Sequence, residues 1–475
     1  MKEPIGLEPL FPDRSAGEPL GAQLVRRLRG AIKSGFFPPD TRLLPSRELA
    51  QRLGLSRNTV TAALEQLVAE GYLEARVGAG TFVTATLHEE RRPVSPGARA
   101  LPKRAARLVP IKAALDAAGF SSGPLRIGSP AYALFPIRTW QRLARKNLAS
   151  AGAFLDYGRS AGLLALREAI ARHIAQFRGV VADPDRITIV EGAQGALQLA
   201  AFVLTQHGDT AVVEDPCYQL ARGVFAANGL ALQAVAVDDA GLRTSELPAD
   251  AKLAYLTPSH QFPLGGTLPL ARRAELLVWA RRADAYVIED DYDSEFDAHP
   301  IPALQSLDRD QRVIYVGTLS KTLAPGLRLG YVVVPEHLAE SFRFARALLS
   351  LGASAQLQAT LADFIAGGHF SRHVRRMMKV YDRRRNILVE ILSRKLPSSF
   401  TIGPAQKGLH VAVTGPGDFD DVRFANSMPN GERVLPLSRL CVKRTDCKGL
   451  LLGFSSGPDA ALARSAKALA SSLGL

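Results

Sequence analysis

Cysteine is scarce: Cys217, Cys441 and Cys447 are the three in 475 residues, with no CxxC pair. They form neither a disulfide framework nor a metal site, and they fit a reducing cytoplasm. Long apolar runs are also missing. None approaches the roughly 18 residues of a membrane helix, so no membrane partner is expected. The opening MKEPIGLEPLFPDRS carries acids and lacks the apolar core of a secretory leader. Acidic side chains are in deficit, 45 Asp+Glu against 59 Lys+Arg, a net charge of +14. That sign suits an acidic partner, nucleic acid first. Residues 1–84 carry 11 basic against 9 acidic side chains, and residues 85–115 carry 7 against 2. Much of the excess therefore sits in a connector.

What is present divides into three regions. Residues 1–84 show short helical patterns and a closing hairpin. Residues 85–120, with RRPVSPGARALPKRAARLVP, combine basic residues, four prolines and little periodicity, as an exposed linker does. From 121 to 475, short apolar runs alternate with amphipathic helices: RITIV (186–190), TAVVED (210–215), AKLAYL (251–256), AYVIED (285–290) and RVIYVG (312–317). This alternation predicts an α/β domain with a buried, mainly parallel sheet.

In the first region, three helices are expected. One carries Leu20, Leu24, Leu28, Ala31 and Ile32 on a single face. A second, at 46–54, has Ser46 as its cap. A third, at 56–71, is capped by Ser56, stopped by Gly71 and buried through Val60, Ala63, Leu64 and Leu67. Arg57, Asn58, Thr59 and Thr61 open that helix on the other side, where a recognition helix meets phosphates and base edges. YLEARVGAGTFVT (72–84) reads as a two-stranded wing turning at Gly78. An ordinary three-helix bundle would share the helix spacing but not this whole string.

In the third region, VGTLSKTLAPGLRLGY (316–331) places Lys321 among hydroxyls, with Arg328 seven residues on. Pyridoxal phosphate needs an amine for its aldehyde, a carboxylate for its ring nitrogen, a donor for its phenolic oxygen, a flat partner for its ring and a cluster of donors for its phosphate. Lys321 follows a strand and can bind the aldehyde. Asp290 ends another strand and can hold the ring nitrogen, with Tyr292 beside it for the phenolic oxygen. Tyr218 can stack on the ring. Thr318, Ser320 and Arg328 can take the phosphate, as can the N–H groups of Ala193 and Gln194 in the turn EGAQGALQL. Each piece alone has an ordinary reading: a GxxG turn is a common helix start, and the acids 289–293 could form a solvated loop. The constellation supplies complementary groups in workable order.

Two resemblances follow from these strings. LLPSRELAQRLGLSRNTVTAALEQLVAEGYLEARVGAGTFV resembles the winged helix-turn-helix of GntR-family bacterial regulators. The resemblance implies DNA contacts from Arg47, Ser56, Arg57, Asn58 and Thr59, and from Gly78 in the minor groove. YGRSAGLLALREAI, GAQGALQL, EDPCYQLAR, TPSHQFPLG, IEDDYDSEF and SKTLAPGLRLGY resemble fold-type I aminotransferases. That resemblance implies pyridoxal 5′-phosphate on Lys321 and a homodimer, head to tail, in which Tyr157 reaches the partner's phosphate. The two together resemble MocR-type transcription regulators, whose body senses a ligand and whose head binds double-stranded operator DNA.

Three departures bear on function. The arginine that binds substrate carboxylate in aminotransferases is replaced by Leu451, with Arg439, Lys443 or Arg444 as candidate substitutes. Phe262 stands where the asparagine for the phenolic oxygen is expected, leaving His260 or Gln261. Asp290 and Tyr292 are spaced D-x-Y rather than D-x-x-Y. The expected function is a ligand-responsive regulator sensing pyridoxal phosphate itself, as in members controlling vitamin B6 synthesis, or an amine captured through it. The alternatives are an active aminotransferase with an accessory head, or a body that holds no cofactor. Arg372, Arg375, Arg376, Lys379 and Arg383 share one helix face, read either as a solvated face or as a track for DNA backbone.

Overall fold

The computed structural model describes residues 6–84, 105–106, 108–109, 112, 122–149, 160–297, 299–350, 352–428 and 432–474. Tyr157 and nearly all of the linker lie outside these residues. The chain divides into two compact units, Met1–Ala100 and Leu101–Leu475.

The first unit is built on α1 (Leu20–Lys33), α2 (Ser46–Leu53) and α3 (Arg57–Ala69). Leu24, Leu28, Leu49, Leu53, Val60, Leu64 and Leu67 meet in one core. Ser56 caps α3, its Oγ accepting from Thr59 N at 3.1 Å. Ser46 does not cap α2. It is the first helical residue, and Pro45, whose ring fixes its φ and which has no N–H to lose, holds the cap position. Gly54 ends α2 in the left-handed conformation, φ 65°, and so sets the tight turn into α3. Strands β1 (Leu73–Arg76) and β2 (Gly80–Val83) pair antiparallel around Val77–Ala79. Gly78 has φ 73° at the exposed tip.

The second unit holds β3 (Ile187–Val190), β4 (Thr210–Asp215), β5 (Ala231–Asp238), β6 (Gly241–Leu242), β7 (Leu253–Leu256), β8 (Tyr286–Asp291), β9 (Val313–Thr318) and β10 (Gly330–Val333). They form one sheet in the order β3-β10-β9-β8-β7-β4-β5-β6. The pairs β5–β4, β4–β7, β7–β8 and β8–β9 are parallel, while β10 runs antiparallel to both neighbours. Alternate residues leave opposite faces. Ile314, Val316 and Val332 enter a core with Phe225 and Phe342. Tyr315, Tyr331 and Val333 enter another with Ile170 and Phe364. Burial on both faces explains the nearly continuous apolar strands.

A smaller antiparallel sheet follows: β11 (Thr401–Ile402), β12 (His410–Thr414), β13 (Leu435–Pro436) and β14 (Gly449–Gly453), in the order β11-β12-β14-β13. It shares a core with helices His369–Lys395 and Asp459–Leu473 through Tyr381, Leu388, Val411, Leu452 and Leu462. In the long helix, Arg372, Arg375, Arg376, Lys379 and Arg383 are at least partly exposed. Arg383 pairs with Asp459 at 2.6 Å.

Candidate cofactor and effector site

The parallel strands deliver their carboxyl ends to a cavity of about 430 Å³. Lys321, Asp290, Tyr292, Tyr218, Ala193, Gln194, Thr318, Ser320 and Arg328 all line it. From the small sheet and the segment before the first body helix come His410, Leu409, Leu435, Arg126, Ile127, Gly128 and Ser129. A ligand here sits where open α/β sheets ordinarily bind one, beyond the strand ends.

The acids around 290 are buried rather than solvated, and each has its own partner. Glu289 accepts from Leu304 N (2.8 Å) and Gln305 N (2.9 Å). Asp291 accepts from Arg178 Nε (2.7 Å) and Tyr315 Oη (2.6 Å). Asp293 faces His260 Nδ1 at 3.0 Å. Asp290 accepts from Tyr255 Oη through Oδ2 at 2.8 Å. Its Oδ1 is buried and has no hydrogen-bond partner among the described residues. An orphaned carboxylate oxygen is costly unless a ligand donates to it. Burial pushes the Asp290 carboxyl up to about 6, with the Tyr255 hydrogen bond opposing.

Lys321 Nζ donates to Gly128 O at 3.1 Å. Burial holds its pKa below the ordinary lysine value, against the pull of Asp293 and Asp290. A lysine so held is nearer the neutral, nucleophilic form that an aldehyde needs.

The phosphate side is a helix start. Helix Gly192–Leu204 has no side-chain cap, so its first N–H groups stay open to an anion. Arg328, at φ 50°, donates from Nη2 to Glu191 O at 3.0 Å. A Cβ on Gly192 would stand 3.8 Å from Arg328 Nη1 and 4.0 Å from Ser320 Oγ, so the guanidinium and the hydroxyl converge on this turn.

Tyr218 stands on the cavity wall edge-on to Phe262, with ring centroids 5.9 Å apart at 81°. His260 does not reach the cavity. It is buried behind Tyr292, with Tyr292 Oη 2.9 Å from its Nδ1 and donating to its carbonyl oxygen at 3.0 Å. Gln261 is also drawn away, donating to Pro216 O at 2.9 Å.

Leu451 is fully buried in an apolar cluster with Leu437, Leu440 and Ala412, on which Ile127 and Phe262 pack. None of the candidate substitutes lines the cavity. Arg444 turns to Asp446 at 2.9 Å. The backbone N–H groups of Lys443 and Arg444 bind Asp215 at 2.8 and 3.0 Å.

Two contributors have no place in the strand-end reading. His410 begins β12; its ring stacks on His260 at 5.0 Å and its Nε2 is buried without a hydrogen-bond partner among the described residues. Burial keeps it well below the ordinary histidine pKa, hence neutral. Gly128 has φ 68°, and a Cβ on it would stand 2.6 Å from Lys321 Nζ. The left-handed glycine in LRIGSP was the one available signal for that wall.

Comparison with known proteins fits both units. The gntR family of bacterial regulatory proteins matches residues 20–83, and aminotransferase class I and II matches residues 124–438. The probable rhizopine catabolism regulatory protein MocR of Rhizobium meliloti is 36% identical over 456 residues, 93% of this chain and 91% of that protein. The chain belongs to the MocR-type transcription regulators of the GntR family. Other MocR-type relatives include the transcriptional regulator TauR of Rhodobacter capsulatus, 38% identical over 76% of this chain and 77% of its own length. The pyridoxine biosynthesis regulator PdxR of Corynebacterium glutamicum is 31% identical over 95% of this chain and 94% of its own. Among solved structures, the kynurenine aminotransferase of Pyrococcus horikoshii, in complex with PMP, has TM-score 0.72 and 26% identity. The match covers 79% of this MocR-type chain and 97% of that one. The groups around the cavity fit such a cofactor: an open carboxylate oxygen to accept from the ring nitrogen, a lysine, and an uncapped helix start flanked by arginine and serine.

The Asp290 site carries a pH signature. The folded carboxyl lies near 6 against 3.8 for a free aspartate. The cofactor-free fold therefore binds this proton more tightly than the unfolded chain does. Its stabilising contribution is complete below about pH 4 and is lost as pH rises through about 6. Thermal unfolding of cofactor-free protein should show wild type losing ground to Asp290→Asn across that window. Parallel pH curves would contradict the assignment.

Proposed function

We propose that this MocR-type regulator acts in the cytoplasm as a pyridoxal phosphate-binding, ligand-responsive DNA-binding protein, and that its body senses rather than catalyses. The observation that carries the reading is the orphaned Asp290 Oδ1 in the cavity that holds Lys321. Lys321 is the cofactor's attachment point. Asp290 accepts the ring N–H, and Tyr218 flanks the ring. Thr318, Ser320, Arg328 and the N–H groups of Ala193 and Gln194 hold the phosphate. Tyr292 serves the phenolic oxygen, oriented from behind by His260 and Asp293. When bound, the cofactor supplies a carbonyl that passes reversibly between the lysine and an incoming primary amine. The effector is pyridoxal phosphate itself or such an amine. The relative PdxR is named for the regulation of pyridoxine biosynthesis.

The body works as a homodimer, head to tail, with Tyr157 reaching the partner's phosphate. The head reads operator DNA through Arg47, Ser56, Arg57, Asn58 and Thr59, with Gly78 at the wing tip. Ligand occupancy biases two arrangements of the dimer that differ in operator affinity. The direct test is operator binding by the full chain with and without pyridoxal phosphate and candidate amines. A ligand-dependent shift in affinity supports the reading. Sustained turnover of amino acids by the chain, with no such shift, would replace it with an aminotransferase.

The basic face of helix His369–Lys395 is a solvated surface in this reading. Neutralising Arg372, Arg375, Arg376 and Lys379 should leave the slope of log affinity against log salt unchanged. If these side chains neutralised DNA phosphates instead, the slope would flatten by about 0.9 for each phosphate released.

A further inference from the structure

The loop CVKRTDC (441–447), just before β14, carries two of the chain's three cysteines. Cys441 is partly exposed, Cys447 is buried, and both are free thiols. Cys441 Sγ lies 3.6 Å from Leu437 O and 4.0 Å from Cys447 O, so the loop brings its two ends together. The two thiols hydrogen-bond to each other. The bond from Cys441 draws the Cys447 thiol below the ordinary cysteine value, against its burial, and the Arg444 guanidinium adds to the pull. A pair that shares one proton beside a cation holds a thiolate, the form that reacts with oxidants. Cys217 differs. It lies in a separate core with Phe225 and Tyr255, where burial pushes its thiol up.

The same loop grips a wall of the cofactor cavity. The N–H groups of Val442, Lys443 and Arg444 all donate to the Asp215 carboxylate, at 2.8, 2.8 and 3.0 Å. Cys217 N donates to Leu440 O at 3.1 Å. Gln219 Nε2 donates to Arg439 O at 2.6 Å, and Arg222 Nη1 to Cys441 O at 2.8 Å. Tyr218 lines the cavity between these anchored neighbours. A change in the loop's shape therefore reaches Tyr218 from both sides in sequence. Neither Cys441 nor Cys447 is among the described residues that line the cavity.

We propose that Cys441 and Cys447 are a peroxide-reactive pair that closes into a reversible disulfide, and that closure weakens cofactor binding through the Tyr218 wall. One sulfur, as thiolate, attacks an oxygen of hydrogen peroxide. The O–O bond breaks, the departing oxygen takes a proton and leaves as water, and the sulfur is oxidised to a sulfenic acid. The second sulfur gives up its proton and attacks the first. The S–O bond breaks and another water leaves. Two thiols and one peroxide thus give one disulfide and two waters. In a reducing compartment the bond is transient, and exchange with a dithiol restores the pair. Closure draws the sulfurs inside hydrogen-bonding distance and pulls on the three N–H groups that hold Asp215, so the Tyr218 ring loses its fixed place. The inference rests on the cofactor reading for its output but not for the bond.

The test treats the full chain with hydrogen peroxide and digests it with trypsin without reduction. Cleavage after Lys443 and Arg444 separates the two cysteines, so the bond joins peptides 440–443 and 445–448. That linked pair should appear, with Cys217 still open to alkylation after unfolding, and should vanish with dithiothreitol. Affinity for pyridoxal phosphate, read from the visible spectrum, should fall about fivefold or more on oxidation and recover on reduction. Cys441→Ser and Cys441→Ala should each bind the cofactor as reduced wild type does and show no response to peroxide. Absence of the linked pair, an unchanged affinity in its presence, or the same peroxide response in both variants would overturn the proposal. Failure of reduced wild type to load the cofactor would overturn the reading beneath it, and the linked peptides are scored without any cofactor present.

Discussion

Lys321→Ala is expected to remove the visible absorbance of protein-bound pyridoxal phosphate and to abolish the ligand dependence of operator binding. Allosteric coupling between two sites ordinarily amounts to about 5- to 150-fold in affinity, and the variant should show none. Operator affinity without ligand should stay at the wild-type value, because the head has its own core. The fold should survive too. Burial opposes the charge on this lysine, so truncating it relieves a cost and leaves only a small gap beside Gly128. Absorbance and ligand response are read against a melting curve of the same sample. Retention of both by the variant would remove Lys321 from the site.

The second large effect belongs to the head. Arg57→Ala should cost about 1 to 3 kcal/mol of operator affinity and relax preference at one base position, if Arg57 reads guanine. Arg47→Ala should instead weaken all sequences alike and reduce the salt slope by about 0.9, the share of one phosphate. Both residues are exposed, and the Ser56 cap on α3 is untouched by either change, so stability should hold. Filter binding at several salt concentrations separates the two roles. Identical behaviour of the two variants would contradict the division between phosphate and base.

The sequence was legible where chemistry and backbone period coincide. The strands around 187, 210, 253, 286 and 313 announced themselves by apolar runs, because both sheet faces are covered. Lys321, Asp290 and the helix start at Gly192 were visible because strand ends and a GxxG turn are local signals. The capping role of Ser46 was misplaced by one residue, since a preceding proline takes that position with no side-chain bond to reveal it. His260 was drawn toward the cavity by its loop, but only the fold shows Tyr292 in front of it. His410 and Arg126 left no local pattern. One begins a strand of a separate small sheet, and the other precedes the first helix of the body. Both reach Lys321 only through the packing of β12 and β14, across about 90 and 200 residues of chain. Leu451 cannot pair a carboxylate, and it is buried among apolar side chains. None of Arg439, Lys443 and Arg444 lines the cavity in its place.

The central claim is a covalent one, and reduction tests it most directly. Full-length protein incubated with pyridoxal phosphate, treated with borohydride and digested should yield the phosphopyridoxyl label on the peptide carrying Lys321, at about one label per chain. Label spread over surface lysines, or none on that peptide, would contradict the account.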